Sequence, residues 1–450
     1  MTGATLLLQL GRPLRDAAAG MAGHVRRWAP VLAKFVLVQL AVQAFGMLAG
    51  IVIVRTLAKQ DYALYTIANT ILPALYALAN SGVTFAASAI GGRVWQDDRR
   101  LGQVLVTAFE ASRALAAFAI LPVLLVLVFL LHRNGASPPI IAIIAGLVLA
   151  TALLQLRTAI LVVVPRLKGD VRFLQRTDLA AAMLRAALIG SAALVWLDTA
   201  VALLMTTFAN LFQYLATRGR VRGSIDLAVA ADPAMAGEMR RVAGRQWLNE
   251  IHYLLQGQIS VFLLGVFGST ASVADFGALG RIGLLFAAVG ASMQSVVLPR
   301  FARCQEPRRL RQLYIQILAA NVVLAAVPVI VALAVPRPFL WLLGPRYMGL
   351  PGELVLVALN AATAAVCGIS GFLNAVRAWI IPGWIAVLLS ITVELILMLT
   401  VGVSTLRQVL WISILSNLFL TAVFVVGAVH FGRRFAGAAM ARSASPDGAM

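Results

Sequence analysis

Charge is what this sequence has least of. Asp, Glu, Lys and Arg make up 12% of the 450 residues while 61% are hydrophobic, against roughly a quarter charged and half apolar in soluble domains. That excludes a soluble globular class, because the surplus apolar surface needs lipid as its solvent. Acidic residues are the scarcer sign, 17 against 37 Lys and Arg, for a net charge of +20. So basic a balance could suit nucleic acid, but the basic residues fall in short clusters between apolar runs. No basic face interleaved with aromatics occurs on a polar segment, which excludes that partner. Cysteine is nearly missing: Cys304 and Cys367 are too few and too isolated for a disulfide framework or a metal site. The four histidines, His24, His132, His252 and His430, lie far apart, and none has a second ligand at helical spacing. Nothing in the chain calls for a cofactor.

Long apolar runs are what is there. A membrane-spanning helix needs about 20 mainly apolar residues. Twelve stretches qualify, near 33–54, 63–91, 104–131, 139–164, 179–196, 199–216, 247–267, 273–298, 313–335, 352–376, 380–401 and 408–431. The expected fold is an all-α integral membrane protein of about 12 spans in two six-helix bundles, 33–216 and 247–431. A linker loop, 217–246, joins them. A short amphipathic segment, 1–32, precedes the first bundle, and a disordered tail, 432–450, follows the second. The first 30 residues are broken by Arg12, Arg15, Asp16 and Arg26, so no cleavable signal peptide is expected. With the N-terminus inside, 27 Lys and Arg fall in cytoplasmic segments, six (Arg55, Lys59, Arg133, Arg337, Arg346, Arg407) outside and four within spans. This asymmetry places both termini in the cytoplasm.

A short basic string is written twice. QDDRRLGQ at 96–103 returns as QEPRRLRQ at 305–312, with five of eight positions identical. The two copies join the second and third spans of their respective halves. Pro122 and Pro328 lie inside the spans that follow, where each removes a backbone hydrogen bond and marks a bending point. The second span of each half opens near Ala63-Leu64-Tyr65 and Ala274-Asp275-Phe276. Each half starts inside and has an even number of spans, so the repeat is parallel, about an axis along the membrane normal.

The stretches IVIVRTLAKQDYALYTIANTI (51–71), DFGALGRIG (275–283), LPRFARCQEPRRLRQLY (298–314) and FLWLLGPRYMG (339–349) resemble the polysaccharide transporters. These are Wzx-type flippases of lipid-linked oligosaccharides such as O-antigen units, in the MOP superfamily that also holds lipid II flippases and multidrug and toxin extrusion (MATE) transporters. The resemblance runs from about 35 to 430. It departs at Ala63, where a Gly is common, and at Leu57-Ala58-Lys59 in place of Leu-Gly-Pro. It implies two six-helix bundles facing a central cavity that opens alternately to either side. It further implies an undecaprenyl-pyrophosphate-linked glycan as cargo in a bacterial inner membrane, with a polysaccharide polymerase and a chain-length regulator as candidate partners beside the bilayer itself.

Ionisable side chains within spans are expensive and are functional candidates by default. Arg113 has Glu110 one turn earlier, within pairing reach. Arg157 follows Gln155 in an otherwise apolar run, and Arg185 lies about two turns inside its span. Arg281 is flanked by Gly277, Gly280 and Gly283, which allow close approach of a neighbour or ligand. Asp275 is its candidate internal partner, the alternative being that a ligand supplies the counter-charge. The glycines are no dinucleotide fingerprint, since no strand precedes them. Glu250 and His252, with Glu394 and Asp275, are candidates for proton or cation coupling. Gln39, Gln43, Gln256 and Gln258 either line a sugar path or bond neighbouring helices.

Three functions compete. A lipid-linked oligosaccharide flippase suits the Arg-dominated interior, because its cargo is anionic. A cation-coupled small-molecule exporter of the same superfamily would want acidic groups for cationic cargo. A membrane glycosyltransferase or polymerase would need catalytic carboxylates or a large exterior loop; the longest outer connection, 336–352, is short and has no acidic residue before its end, which argues against an enzyme.

Overall fold

The structure, a computed structural model, describes residues 37–80, 82–226, 228–282, 301, 306–377 and 383–444, with backbone alone for 242–257, 307, 375–376, 383–386 and 433–444. The expected amphipathic segment 1–32, Gly283 and Cys304, and the side chains of Glu250, His252 and Gln256, lie outside the described residues.

The chain is helical from end to end of these ranges. The first half comprises α1 (Leu37–Thr56), α2 (Lys59–Asn80), α3 (Val83–Val94), α4 (Asp98–Arg133), α5 (Pro138–Leu167), α6 (Val171–Val195) and α7 (Thr199–Arg222). The second comprises α8 (Pro233–Phe267), α9 (270–282), α10 (Pro307–Ala334), α11 (Pro336–Leu343), α12 (Pro351–Val376), α13 (Gly383–Val401) and α14 (Leu406–Ala444). Starts are chemically marked. Asp97, Asp170, Asp198 and Asp232 each accept a backbone N–H of the first turn, and Pro stands at the start of α5, α8, α10, α11 and α12. Among the described residues nine helices are long and apolar enough to cross a membrane; α8 and α13 fall at two further expected positions, and α9 at the start of the third, the rest of which lies outside the described residues. Phe118, Leu194, Val195 and Leu399 each expose 85% or more of their surface. Four such side chains standing bare on long helices identify a multi-pass membrane protein with lipid around it.

The repeat has a structural counterpart. Each basic string opens a long helix, α4 or α10, that runs on through its internal proline. In the first half Gln155 of α5 donates to Asn210 of α7 at 3.3 Å. In the second, Asn417 of α14 donates to Asn360 of α12 at 3.2 Å. The second pair stands 205 and 207 residues further along the chain than the first. Matched amide pairs between matched helices are what a duplicated bundle would retain.

Three expectations need correction. The run 63–91 is not one span. It breaks between α2 and α3, where Gly82 adopts φ 79° and the Asn80 carboxamide accepts from both N–H and hydroxyl of Thr84, at 3.2 and 2.6 Å; a left-handed glycine beside a capping Asn stops a helix whatever the hydropathy. The 30-residue linker shrinks to 223–232, because Asp232 caps α8 and Pro233 starts it. That short loop is seated on the first half. A side chain at Gly102 would collide with the Asp226 carbonyl, the Asp232 N–H donates to the Thr107 hydroxyl at 3.2 Å, and Lys168 joins the Ser224 carbonyl to Asp98 at 2.7 and 2.6 Å. Gly102 is a point where the repeat differs, its counterpart being Arg311. Finally, α14 continues to Ala444, past the expected start of a disordered tail, since Ala- and Arg-rich sequence favours helix.

Buried side chains divide by end. One cluster takes residues from both halves, among them Leu57, Tyr62, Leu130, Ile144, Leu264, Ala278, Leu340, Tyr347 and Leu410. All sit toward the end that carries the few basic loop residues, called here the arginine-poor end. At the arginine-rich end the core is split. One cluster holds α3, α4, α5 and the start of α8 through Ile90, Leu105, Val164 and Met239; another holds Phe301, Leu310 of α10, Leu373 of α12 and Ala428 of α14. Among the described residues, most side chains that join the two halves lie at the arginine-poor end; at the other end it is the start of α8 that packs on α3, α4 and α5 of the first half.

Candidate functional site

Where the halves meet, α1 offers two glycines one turn apart, Gly46 and Gly50, on one helix face. Each is occupied by a guanidinium in place of a side chain. A Cβ on Gly46 would stand 3.1 Å from Nη2 of Arg185, on α6, and a Cβ on Gly50 would stand 3.1 Å from Nη1 of Arg281, on α9. Two tyrosines of α2 flank them: Tyr62 and Tyr65 stack with centroids 6.1 Å apart, and the Arg281 guanidinium lies 5.7 Å from the Tyr65 ring centroid, a cation–π geometry. The two arginines are near enough to repel each other. Neither has an ion-pair partner among the described residues. Nε of Arg185 is buried without a hydrogen-bond partner. The hydroxyl of Tyr62, a residue 1% exposed, turns toward Arg281 without reaching hydrogen-bond geometry.

Packing of α9 on α2 places Arg281. A side chain at Gly277 would overlap the Thr66 hydroxyl, so only glycine lets the two backbones approach this closely. Gly280, by contrast, faces open space. Asp275 is not the partner of Arg281. Its carboxylate pairs with Lys59 of α2 at 2.8 Å, because one turn and a half along α9 turns the two side chains to different directions.

That Lys59–Asp275 pair belongs to a set of bonds closing the arginine-poor end. Arg55 donates to the carbonyls of Leu342 and Trp341 at 2.9 and 2.6 Å and lies over the Trp341 ring at 4.9 Å. Arg346 donates to the Leu57 carbonyl at 2.6 Å, and Arg407 pairs with Glu353 at 2.7 Å. Three of these four links cross between the halves.

The remaining sequence candidates are not drawn into the cluster. Arg113 and Glu110 are both exposed or half-buried and not paired with each other. Arg157 is exposed on α5, close along the chain to the Gln155–Asn210 bond. Glu394 is a buried carboxylate of α13, 8% exposed, with no ion-pair partner among the described residues. Pro122 and Pro328 lie within unbroken helices, and Glu250 is on α8. Sequence reasoning missed Gly46, Gly50, Tyr62 and Tyr65. The only signal was the pair of tyrosines three apart beside an apolar glycine-bearing span.

Solved structures share this fold. The inward-facing conformation of a multidrug resistance MATE family transporter of the MOP superfamily superposes with a TM-score of 0.67, covering 91% of this chain and 100% of its own at 17% identity. The lipid II flippase MurJ, in an inward closed conformation, gives 0.67 over 87% of each chain at 10% identity. This chain has the fold of these two transporters. An outward-facing MATE transporter of the MOP superfamily superposes at 0.55, over 89% of this chain and 94% of its own at 16% identity. No family model and no curated protein matches the chain. Within this fold, the Arg185–Arg281 seat lies on the boundary between the two halves, since Arg281 comes from the second half and every other member from the first.

Proposed function

We propose that this protein is a flippase. It moves an undecaprenyl-pyrophosphate-linked oligosaccharide from the cytoplasmic to the periplasmic leaflet of a bacterial inner membrane by alternating access, for polysaccharide synthesis (O-antigen, capsule or exopolysaccharide). One observation carries the reading: two arginines converge at the boundary of the halves and, among the described residues, no carboxylate pairs with either. A lone Arg in a span costs at least a few kcal/mol on insertion scales, so two kept together with tyrosines but no ion-pair partner among the described residues call for an anionic ligand. A guanidinium fork suits phosphate oxygens in particular. The core split between two clusters at the arginine-rich end supports loading from the cytoplasmic side, with the exposed Arg113 and Arg157 as candidates to meet the cargo. The 0.67 likeness to an inward-facing transporter supports that state.

Glu394 favours a second reading, a cation-coupled small-molecule exporter, because a buried unpaired carboxylate suits proton or cation exchange. The two separate in a host lacking its own flippase, with surface glycan measured and protein level followed by blotting. Arg281→Ala and Arg185→Ala reduce glycan at least about tenfold at normal protein level, from the loss of charge-assisted bonds, while Arg281→Lys keeps part. Full glycan with Arg281→Ala removes the flippase reading. Absence of glycan rescue by the wild type, with drug resistance that Glu394→Gln abolishes, establishes the exporter instead.

A further inference from the structure

We propose that Gly46 and Gly50 are positioning residues that hold Arg185 and Arg281 one helical turn apart as a two-armed clamp, selecting a diphosphate over a single phosphate. This rests on the flippase reading and adds to it the chemistry that the site prefers.

Glycine in a span has many uses, but here each of the two is taken up by a cation. The Cβ that any other residue would bring to position 50 stands 3.1 Å from Nη1 and 3.2 Å from Cδ of Arg281, and at position 46 it stands 3.1 Å from Nη2 of Arg185. Those separations are inside ordinary van der Waals contact, so an alanine forces the guanidinium to move. Positions i and i+4 of one helix lie about 6 Å apart along its axis. The glycines therefore set both the depth of each arm and their spacing. Tyr65 adds a third wall, under the Arg281 fork and close to Arg185.

The site is also incomplete in a way that names its ligand. Among the described residues its two cations have no ion-pair partner, and Arg185 Nε is buried without a hydrogen-bond partner, as is the Tyr62 hydroxyl beside Arg281. Unmet buried polar groups are costly. A ligand must bring two negative centres and several acceptor oxygens a short distance apart. Two phosphates joined through one bridging oxygen do so, one to each arm. A lone phosphate serves one arm and leaves the other charged and unpaired. Because Arg281 rides on α9 of the second half and the glycines on α1 of the first, the clamp is whole while the halves are joined at the arginine-poor end.

The full-length protein in detergent, titrated with inorganic pyrophosphate and inorganic phosphate, tests this through ligand-dependent shifts in melting temperature. Wild type binds pyrophosphate about tenfold or more tightly than phosphate, the worth of one further charge-assisted arm. Gly50→Ala and Gly46→Ala, each separately, bring the two ligands to near parity. In an Arg281→Lys background the effect of Gly50→Ala shrinks, because lysine lacks the Nη1 that the new methyl would displace; a glycine that merely packs helices would cost the same in both backgrounds. Farnesyl diphosphate in the micelle distinguishes the source: tighter binding than pyrophosphate assigns a lipid headgroup, equal binding a free diphosphate, and either supports the clamp. Equal affinity of the wild type for phosphate and pyrophosphate overturns it, as does an undiminished Gly50→Ala effect in the Arg281→Lys background. Should Gly50→Ala fail to fold, Gly46→Ala and the wild-type comparison still decide. Glycan export by a wild type that shows no preference overturns the clamp and leaves the flippase reading standing, and a preference without glycan export does the reverse.

Discussion

Removing one partner of the Lys59–Asp275 pair should open the arginine-poor end, and the two removals should differ. The pair spans the halves at 2.8 Å, with the lysine side chain 37% exposed and the carboxylate 12% exposed. Asp275→Asn leaves a lysine that can turn to water, so its cost falls in the range of an exposed pair, about 0.5 kcal/mol. Lys59→Met strands a mostly buried carboxylate that also faces the charge of Glu353. Breaking a fully buried pair costs about 3–5 kcal/mol, and the lysine's exposure reduces this to about 2 kcal/mol. At a factor of ten per 1.4 kcal/mol, the open population rises about twofold in the first variant and about thirtyfold in the second. The assay is alkylation by a membrane-impermeant maleimide at Ala278→Cys, a position now 0% exposed in the joint core, with both native cysteines replaced by serine. Lys59→Met should label far faster than Asp275→Asn, and the double variant should return to within a few-fold of the parent. Equal rates for the two single variants, or a double variant as fast as Lys59→Met, would refute this reasoning about the pair.

Two further outcomes follow from the fold. Gly102→Leu should lift the loop 223–232 off α4, since the Asp226 carbonyl occupies the space of the new side chain; limited proteolysis there should speed up at least about tenfold, and an unchanged rate would deny that the loop is held. Pro122→Ala with Pro328→Ala restores a backbone bond within α4 and α10, so transport should slow at normal protein level with thermal stability equal or higher; unchanged transport would remove the hinge role of these prolines.

What the sequence determined by itself is what depends on local chemistry and on lipid as solvent. Apolar runs of spanning length become helices in a bilayer because no other segment can satisfy its own backbone there, so the all-α class was legible, as were the nine spans found among the described residues. The basic strings and paired prolines suggested a duplicated plan, and Arg281 stood out as an ionisable residue among glycines. What only the tertiary structure decided is which side chains meet. Asp275 looked like the partner of Arg281 because they share a helix, yet its ion pair is with Lys59, 216 residues earlier. Gly46 and Gly50 read as ordinary span glycines until α6 and α9 brought a guanidinium to each. The stop at Gly82 depended on a backbone dihedral that hydropathy does not record. Periodicity along a chain reports which face of a helix is apolar, whereas contact between helices depends on how closely two backbones approach, and Gly277 against Thr66 is where that approach, and with it the place of Arg281, is set.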